Sequence, residues 1–215
     1  MKQSGPNLLG ITINHRSMRG DARRFAEVTR AMAQGHTAGT PQRAREIQWY
    51  LGNLCTGIHH HHQAEDEVLW PVLRETAGAE VDLGELTDDH RQLDPLLDRI
   101  RAEAAALAAA PADRAVAGRL ADSLATLRDL LDEHIEDEEH TLFPVILRYV
   151  SGEQWQRVEK AVRKGSKVGF ELPRIERYAE PQELQALYRE AGPVLRLILA
   201  SVRGGFLRRE RVIFG

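Results

Sequence analysis

Two stretches of the chain carry the same side chains at the same spacing. Residues 61–73 read HHQAEDEVLWPVL and residues 134–146 read HIEDEEHTLFPVI. At an offset of 73 they share His61/His134, Glu65/Glu138, Leu69/Leu142, Pro71/Pro144 and Val72/Val145, while Asp66/Glu139, Trp70/Phe143 and Leu73/Ile146 match in kind. The repeated device is His-x-x-x-Glu. On a helix, residues four apart lie one turn above each other on the same face, so an imidazole and a carboxylate point at one spot. A single pair of this type is ordinarily an exposed pair of neighbours. Two copies, each followed by a leucine, an aromatic residue and a proline that fix the inward face, place both pairs inside. An unpaired buried carboxylate costs several kcal/mol or takes up a proton. Metal coordination is the economical account of two carboxylates beside two imidazoles.

Two more histidines complete the set. His15 lies in an inward stripe with Ile11, Met18, Ala22 and Phe25, and His90 stands near the start of another helix, in DDHRQLD. Four imidazoles and two carboxylates suit two borderline or moderately hard transition ions, since imidazole accepts iron, copper or zinc and a carboxylate can bridge.

Four elements must position these groups. Helical periodicity and residue preferences dominate, and strand signals are nearly absent. The first predicted helix runs from about Thr12 to Met32 and is broken by QGHTAGTP; the second runs from about Pro41 to Thr76 with Ile47, Leu51, Leu54, Ile58, His61 or His62, Glu65, Leu69 and Leu73 inward. A third opens near Thr87 and Asp88, capping residues, and reaches about Leu107, with a bend or late start expected at Pro95. The fourth begins at Pro111–Asp113 and carries Leu120, Leu124, Leu127, Leu131, His134 and Glu138 to about Val150. Amphipathic helices with short connections are best satisfied by an all-α, up-down-up-down four-helix bundle.

The stretches Asn14-His15-Arg16, His61-His62-Gln63-Ala64-Glu65-Asp66 with Leu69-Trp70-Pro71, Asp89-His90, and His134-Ile135-Glu136-Asp137-Glu138-Glu139 with Leu142-Phe143-Pro144 resemble the hemerythrin-like family, the HHE cation-binding domain. The resemblance covers about residues 10–150. It implies a non-haem, oxygen-bridged pair of irons inside a four-helix bundle, in a family whose members bind O2, react with peroxide or nitric oxide, or sense iron and oxygen. It implies His15, His61, Glu65, His90, His134 and Glu138 as metal ligands, with Glu65 and Glu138 as bridges. One departure stands out: the oxygen-carrying members use a fifth histidine four residues after the first on the third helix, where this chain has Asp94. A carboxylate or water there makes the site more anionic and more open, which argues against reversible O2 carriage.

Of the run His59–His62, only His61 and His62 share the face of Glu65. The repeat selects His61 and leaves His62 as the alternative, with His59 and His60 outside the ligand set. His36 is 21 residues from His15, roughly 31 Å along a continuous helix, and His140 points outward, about 240° round from His134. A ferritin-like centre fits poorly, since it wants Glu-x-x-His on two helices and the chain offers only Asp137-x-x-His140.

Composition bounds the rest. The 215 residues are 42% hydrophobic and 28% charged, with 29 Lys plus Arg, 32 Asp plus Glu, nine His and one Cys. Cys55 has no partner for an intramolecular disulfide. No run of ~18 apolar residues spans a bilayer, and the N-terminus has no convincing signal peptide, so a cytoplasmic setting is expected. Residues 1–150 hold 16 basic and 24 acidic residues, and 151–215 hold 13 and 8, so the net charge passes from −8 to +5. All nine histidines fall in the first part, and no nucleic-acid partner is expected. We therefore expect two units, a bundle over 1–150 and a basic extension over 151–215. The extension should comprise a short helix to about Lys164, an irregular segment GSKVGFELPRIERYAEP, and helix from Pro181 to about Ser201 interrupted at Gly192-Pro193. It is expected to dock on the bundle; its alternation of Leu195, Leu197, Ile198, Leu199, Val202, Phe206 and Leu207 with arginines also suits an acidic partner or a membrane surface.

Three functions follow as expectations. The first is a di-iron protein that removes or binds small oxidants, hydrogen peroxide, nitric oxide or O2, with electrons from a donor the sequence does not name. The second is a sensor of O2, NO or iron without turnover, in which occupancy changes the packing of the extension. A closed structural staple is third, since structural zinc sites are usually thiolate-rich.

Overall fold

The computed structural model describes residues 5–215; the first four residues of the N-terminal segment weighed above as a leader lie outside it. It is all-α, with no strand among the described residues. Helix α1 spans Leu9–Gln34, α2 Pro41–Ala64, α3 Trp70–Thr76, α4 Gly84–Ala109, α5 Arg114–Tyr149, α6 Gly152–Lys164, α7 Val168–Tyr178 and α8 Pro181–Phe214. The boundaries have local causes. Gly35 closes α1 in the left-handed region at φ 80°, where a side chain would be strained. Thr40 caps α2 through the Arg43 amide ahead of Pro41, and Asp113 accepts from the Ala115 and Val116 amides at the start of α5. Ser151 and Gln154 form a capping box on α6, which satisfies two otherwise orphaned donors.

Helix α1 packs on α5, α5 on α4, and α4 on α2. Two apolar layers fill the interior, one around Phe25, Leu51, Leu97 and Leu127, the other around Leu69, Trp70, Leu142 and Ile146. The candidate ligands lie between them along the helices: His15 falls between Ile11 and Met18, and Glu138 between Ile135 and Leu142.

Along the α1/α2 seam the C-terminal helices supply part of the core. Helix α7 packs on α1 and α8 on α2, and Phe170, Phe206 and Ile213 are buried with Phe25 and Tyr50. Gly20 permits the approach of α7, since a Cβ there would collide with the ring of Tyr178. The anchor is polar. Asp21, fully buried, accepts from Arg174 Nε at 2.7 Å, the Tyr178 hydroxyl at 2.7 Å and the Tyr50 hydroxyl at 3.0 Å. Arg174 also reaches Glu171 and the Ser17 hydroxyl. Nearer the chain's end, Glu210 pairs with Arg24 and Arg177, and Arg209 with Glu46.

Four expectations need correction. The segment after Gly165 is not irregular: residues 168–178 form α7, and its Pro173 is accommodated inside the helix. Helix α8 does not stop near Ser201 but runs to Phe214, because Leu199, Phe206 and Ile213 recur on one buried face. The interruption at Gly192-Pro193 is present as a kink, with Gly192 at φ 72°. Helix α4 does not start late at Pro95 but runs through it from Gly84, ahead of Thr87 and Asp88 and with Leu83 at its N-cap. The second predicted helix, finally, is not continuous α-helix: residues 65–69 form a π turn between α2 and α3. No helix among the described residues is long and apolar enough to cross a membrane.

Candidate metal centre

The six histidine and glutamate side chains expected from the sequence converge, and a seventh joins them. His15 comes from α1, His61 and His62 from the end of α2, Glu65 from the π turn, His90 from α4, and His134 and Glu138 from α5; none is more than 4% exposed. They form two groups whose donor atoms lie within 4.8 Å of one another: His62, Glu65, His90 and His134, and His15, His61, Glu65 and Glu138. Ligands about 2.0–2.2 Å from one ion are separated by comparable distances. Glu65 belongs to both groups. Its Oε1 lies 2.9 Å from His61 Nε2 and its Oε2 3.6 Å from His90 Nε2, as a carboxylate between two ions would be placed.

The π turn explains how His61 and His62 both face inward. Trp70 N–H bonds back five residues to the Glu65 carbonyl, and the extra residue in that turn shifts the inward stripe by one position. Leu69, Trp70 and Leu73 after it and His61, His62 and Glu65 before it are all buried. His61 turns toward α1, with Nε2 3.1 Å from His15 Nε2. His62 turns toward α4, stacked on His90 with centroids 4.2 Å apart and planes 12° apart. This corrects the expectation for the fifth ligand position. Asp94 is at the surface, 2.8 Å from His59 Nδ1; the further imidazole comes from α2. His36 and His140 are exposed, and His60 Nε2 lies between the Val162 carbonyl and the Gly165 amide at the end of α6.

Around these groups the surroundings repeat. Asp66, one residue past Glu65, lies 3.1 Å from His90 Nδ1, and Glu139, one past Glu138, lies 2.9 Å from His15 Nδ1. Asp89 is 3.3 Å from His134 Nδ1 and Asn14 3.4 Å from His61 Nδ1. Trp70 stacks on His90 and Phe143 on His15. His15, His90 and His134 therefore have Nδ1 held by a carboxylate and Nε2 turned inward, the arrangement that orients metal-binding histidines, whereas His61 Nδ1 faces the Asn14 amide nitrogen, a donor. His62 breaks the symmetry: its counterpart in the repeat is Ile135, and neither of its ring nitrogens has a partner. The orienting residues were missed in the sequence, although the acidic match Asp66/Glu139 marked two of them.

Among the described residues, ten buried side-chain polar atoms lack a hydrogen-bond partner, and eight are here: both nitrogens of His62, both carboxylate oxygens of Glu65 and of Glu138, and Nε2 of His90 and His134. At about 1–3 kcal/mol each, eight orphans would consume the whole stability of an ordinary domain, about 5–15 kcal/mol. Metal coordination in the two groups would satisfy most of them, leaving His62 one free ring nitrogen, since each imidazole offers an ion a single nitrogen. Burial pushes the Glu65 carboxyl up to about 8 and, reinforced by the Glu65 charge, holds Glu138 well above the carboxylate range. It lowers His61 and His134 to about 4 and, with His90 beside it, takes His62 well below its usual value. Near pH 7 the imidazoles thus offer free lone pairs while the carboxyls hold protons that an ion displaces. Metal uptake by chelator-stripped protein is expected to release one to two protons per chain at pH 7, with apparent affinity rising with pH and levelling above about 8. Indicator-dye titration in weak buffer measures this; uptake without proton release would refute the protonated carboxyls.

The family model of the hemerythrin HHE cation binding domain matches residues 11–146, well over half of the chain. The chain belongs to the hemerythrin HHE cation-binding family. It is also 32% identical over 113 residues to a protein of Nostoc sp. (strain PCC 7120) named DNA nickase, a match covering 53% of this chain and 29% of that protein. The chain thus spans under a third of that relative's length. No solved structure matches it. Within this HHE domain lie the two His/Glu groups that could hold a metal ion.

Proposed function

We propose that this HHE protein holds two iron ions, one in each donor group, and uses them to bind or reduce a small oxidant such as hydrogen peroxide, nitric oxide or O2. The observation that supports this is the inequality of the groups. One offers three imidazoles and Glu65; the other offers two imidazoles with Glu65 and Glu138, and its His61 and Glu65 line a cavity. A small molecule entering that cavity would therefore meet the donor group with fewer imidazoles, through His61 and Glu65. An iron pair held there supplies Lewis acidity and electron exchange.

The chain's own residues do the rest. Glu65 ties the two positions together. Asp66, Asp89 and Glu139 fix three rings with Nε2 inward, and burial keeps His61, His62 and His134 neutral and able to ligate near pH 7. Trp70 and Phe143 wall the centre on the α3 and α5 side. The name of the Nostoc relative is left with that relative: the shared segment is a minor part of it, and a net charge of −8 over residues 1–150 opposes a polyanionic substrate.

The test is metal content, absorption spectrum and peroxide turnover of the iron-loaded protein. Two irons per chain, near-ultraviolet and visible bands of a ferric pair, and peroxide loss at least tenfold faster than with the same amount of free iron are expected. Stoichiometric iron with no excess turnover would overturn the enzymatic part in favour of binding or sensing. Two zinc ions and a spectrum blank above the protein bands would overturn the redox reading altogether.

A further inference from the structure

Between α1 and α2 on one side and α6, α7 and α8 on the other lies a cavity of about 560 Å³. At roughly 30 Å³ per liquid water, it holds on the order of twenty waters, many times the size of peroxide, nitric oxide or O2. It falls within the roughly 300–1,000 Å³ of sites that take whole organic molecules. We propose that this cavity binds a neutral, largely apolar organic molecule and presents one end of it to His61 and Glu65.

Three observations carry the proposal. The wall is mainly apolar, with Leu69, Val158, Phe170, Leu187 and Leu195 among its residues. Apart from Glu65 at the metal centre, its charges are answered within the protein: Arg174 by Asp21 and Glu171, Arg163 by Glu159. Lys167 bonds to the Asn53 amide oxygen, and Glu190 accepts from the Asn7 amide. One cation and one anion remain, held by amides and opposite in sign, so the cavity favours neither ionic class. Third, two glycines stand at its wall: Gly57 in α2, where a Cβ would come within 3.0 Å of Glu171 Oε1, and Gly10 in the first turn of α1. A Cβ at Gly10 meets nothing within 4 Å. Close packing does not require glycine there, in contrast with Gly20 under Tyr178.

The proposal goes beyond the small-oxidant reading and does not require iron, since the wall exists whatever ion is bound. It is tested on the full chain, metal-free and metal-loaded, with Nile red as the probe and naphthalene and octanoate as competitors. Saturable binding of one dye per chain is expected, displaced by naphthalene at least tenfold better than by octanoate. Gly10→Phe should weaken binding at least tenfold with unchanged helix content and metal stoichiometry. Thr56→Trp, on the α2 wall, provides a second block should Gly10→Phe fold poorly. The exposed apolar patch of Val194 and Leu197 on α8 is the competing dye site. Loss of binding in Leu197→Ser with none in the cavity variants would overturn the proposal, as would unsaturable binding or equal displacement by octanoate. Failure here leaves iron content and peroxide turnover untouched, so the two readings fall separately.

Discussion

Arg174→Ala is expected to destabilise the folded chain by about 3–5 kcal/mol, a large part of the stability of a domain this size. The guanidinium is 1% exposed and faces Asp21, which is fully buried. With Arg174 gone, Asp21 keeps only the hydroxyls of Tyr50 and Tyr178 and the distant Arg24, 3.8 Å away, so a carboxylate stays buried almost without compensation. Breaking one side of a buried pair costs more than removing both. Combining Arg174→Met with Asp21→Asn should therefore recover a substantial part of the loss. The exposed pair Arg91–Asp88 is the control, and Arg91→Ala should change stability by less than about 1 kcal/mol. Urea denaturation of the three variants and the wild type gives the comparison. Because the pair joins α1 to α7, Arg174→Ala should also expose residues 165–182 to protease before the bundle opens. A loss below about 1 kcal/mol would mean that the C-terminal helices are held by their apolar residues alone.

Those C-terminal helices were the least legible part of the fold. Helices α1, α2, α4 and α5 follow from apolar stripes, with side-chain caps opening α2 and α5, and periodicity alone places Ile47, Leu51, Leu97 and Leu131 inside, where they are found. Residues 168–178 carry Pro173, with Glu171 before it and Arg174, Glu176 and Arg177 after it, which read locally as an irregular strap. They are helical because Phe170 and Arg174, one turn apart, both have partners on the bundle, and that information lies in Asp21 and Tyr50 rather than in the segment itself. Two of the arginines that made the tail look like a surface-seeking helix are used inside the molecule, Arg209 on Glu46 and Arg203 on Glu176.

The candidate centre was legible wherever it repeats and opaque where the repeat fails. Two copies of His-x-x-x-Glu identify four residues, and the match at the next position, Asp66 with Glu139, already contained the carboxylates that orient His90 and His15. His62 has no counterpart, and the reasoning from 100° per residue assumed a regular α-helix up to Leu69. A π turn needs one extra residue inside an otherwise matching pattern. The shift of the buried stripe to the adjacent pair Leu69 and Trp70 reports it only once burial is known.

Removing the shared carboxylate should separate metal binding from stability in opposite directions. Glu65→Gln is expected to abolish stoichiometric binding of both ions, since Glu65 alone belongs to both donor groups, whereas Glu138→Gln should leave one ion per chain bound. His62→Ala should weaken the ion in the three-imidazole group, and His36→Ala should change nothing. Chelator-stripped Glu65→Gln should nevertheless be more stable than stripped wild type. The Glu65 carboxyl is held at about 8 against an ordinary 4.5, so at pH 7 the unfolded chain ionises it while the folded chain does not, a cost of about 3 kcal/mol. The sign fixes the pH window. Below about 4.5 both states carry the proton and the cost disappears; from there to about 8 it grows, and above 8 it is constant. The stability gap between stripped Glu65→Gln and stripped wild type should thus open between pH 4.5 and 8, and saturating metal should reverse it in favour of wild type. Metal analysis and denaturation at pH 5 and 7.5 measure both effects. A stripped Glu65→Gln variant less stable than wild type at pH 7.5 would show that the buried carboxyl is held by the fold itself, without need of an ion.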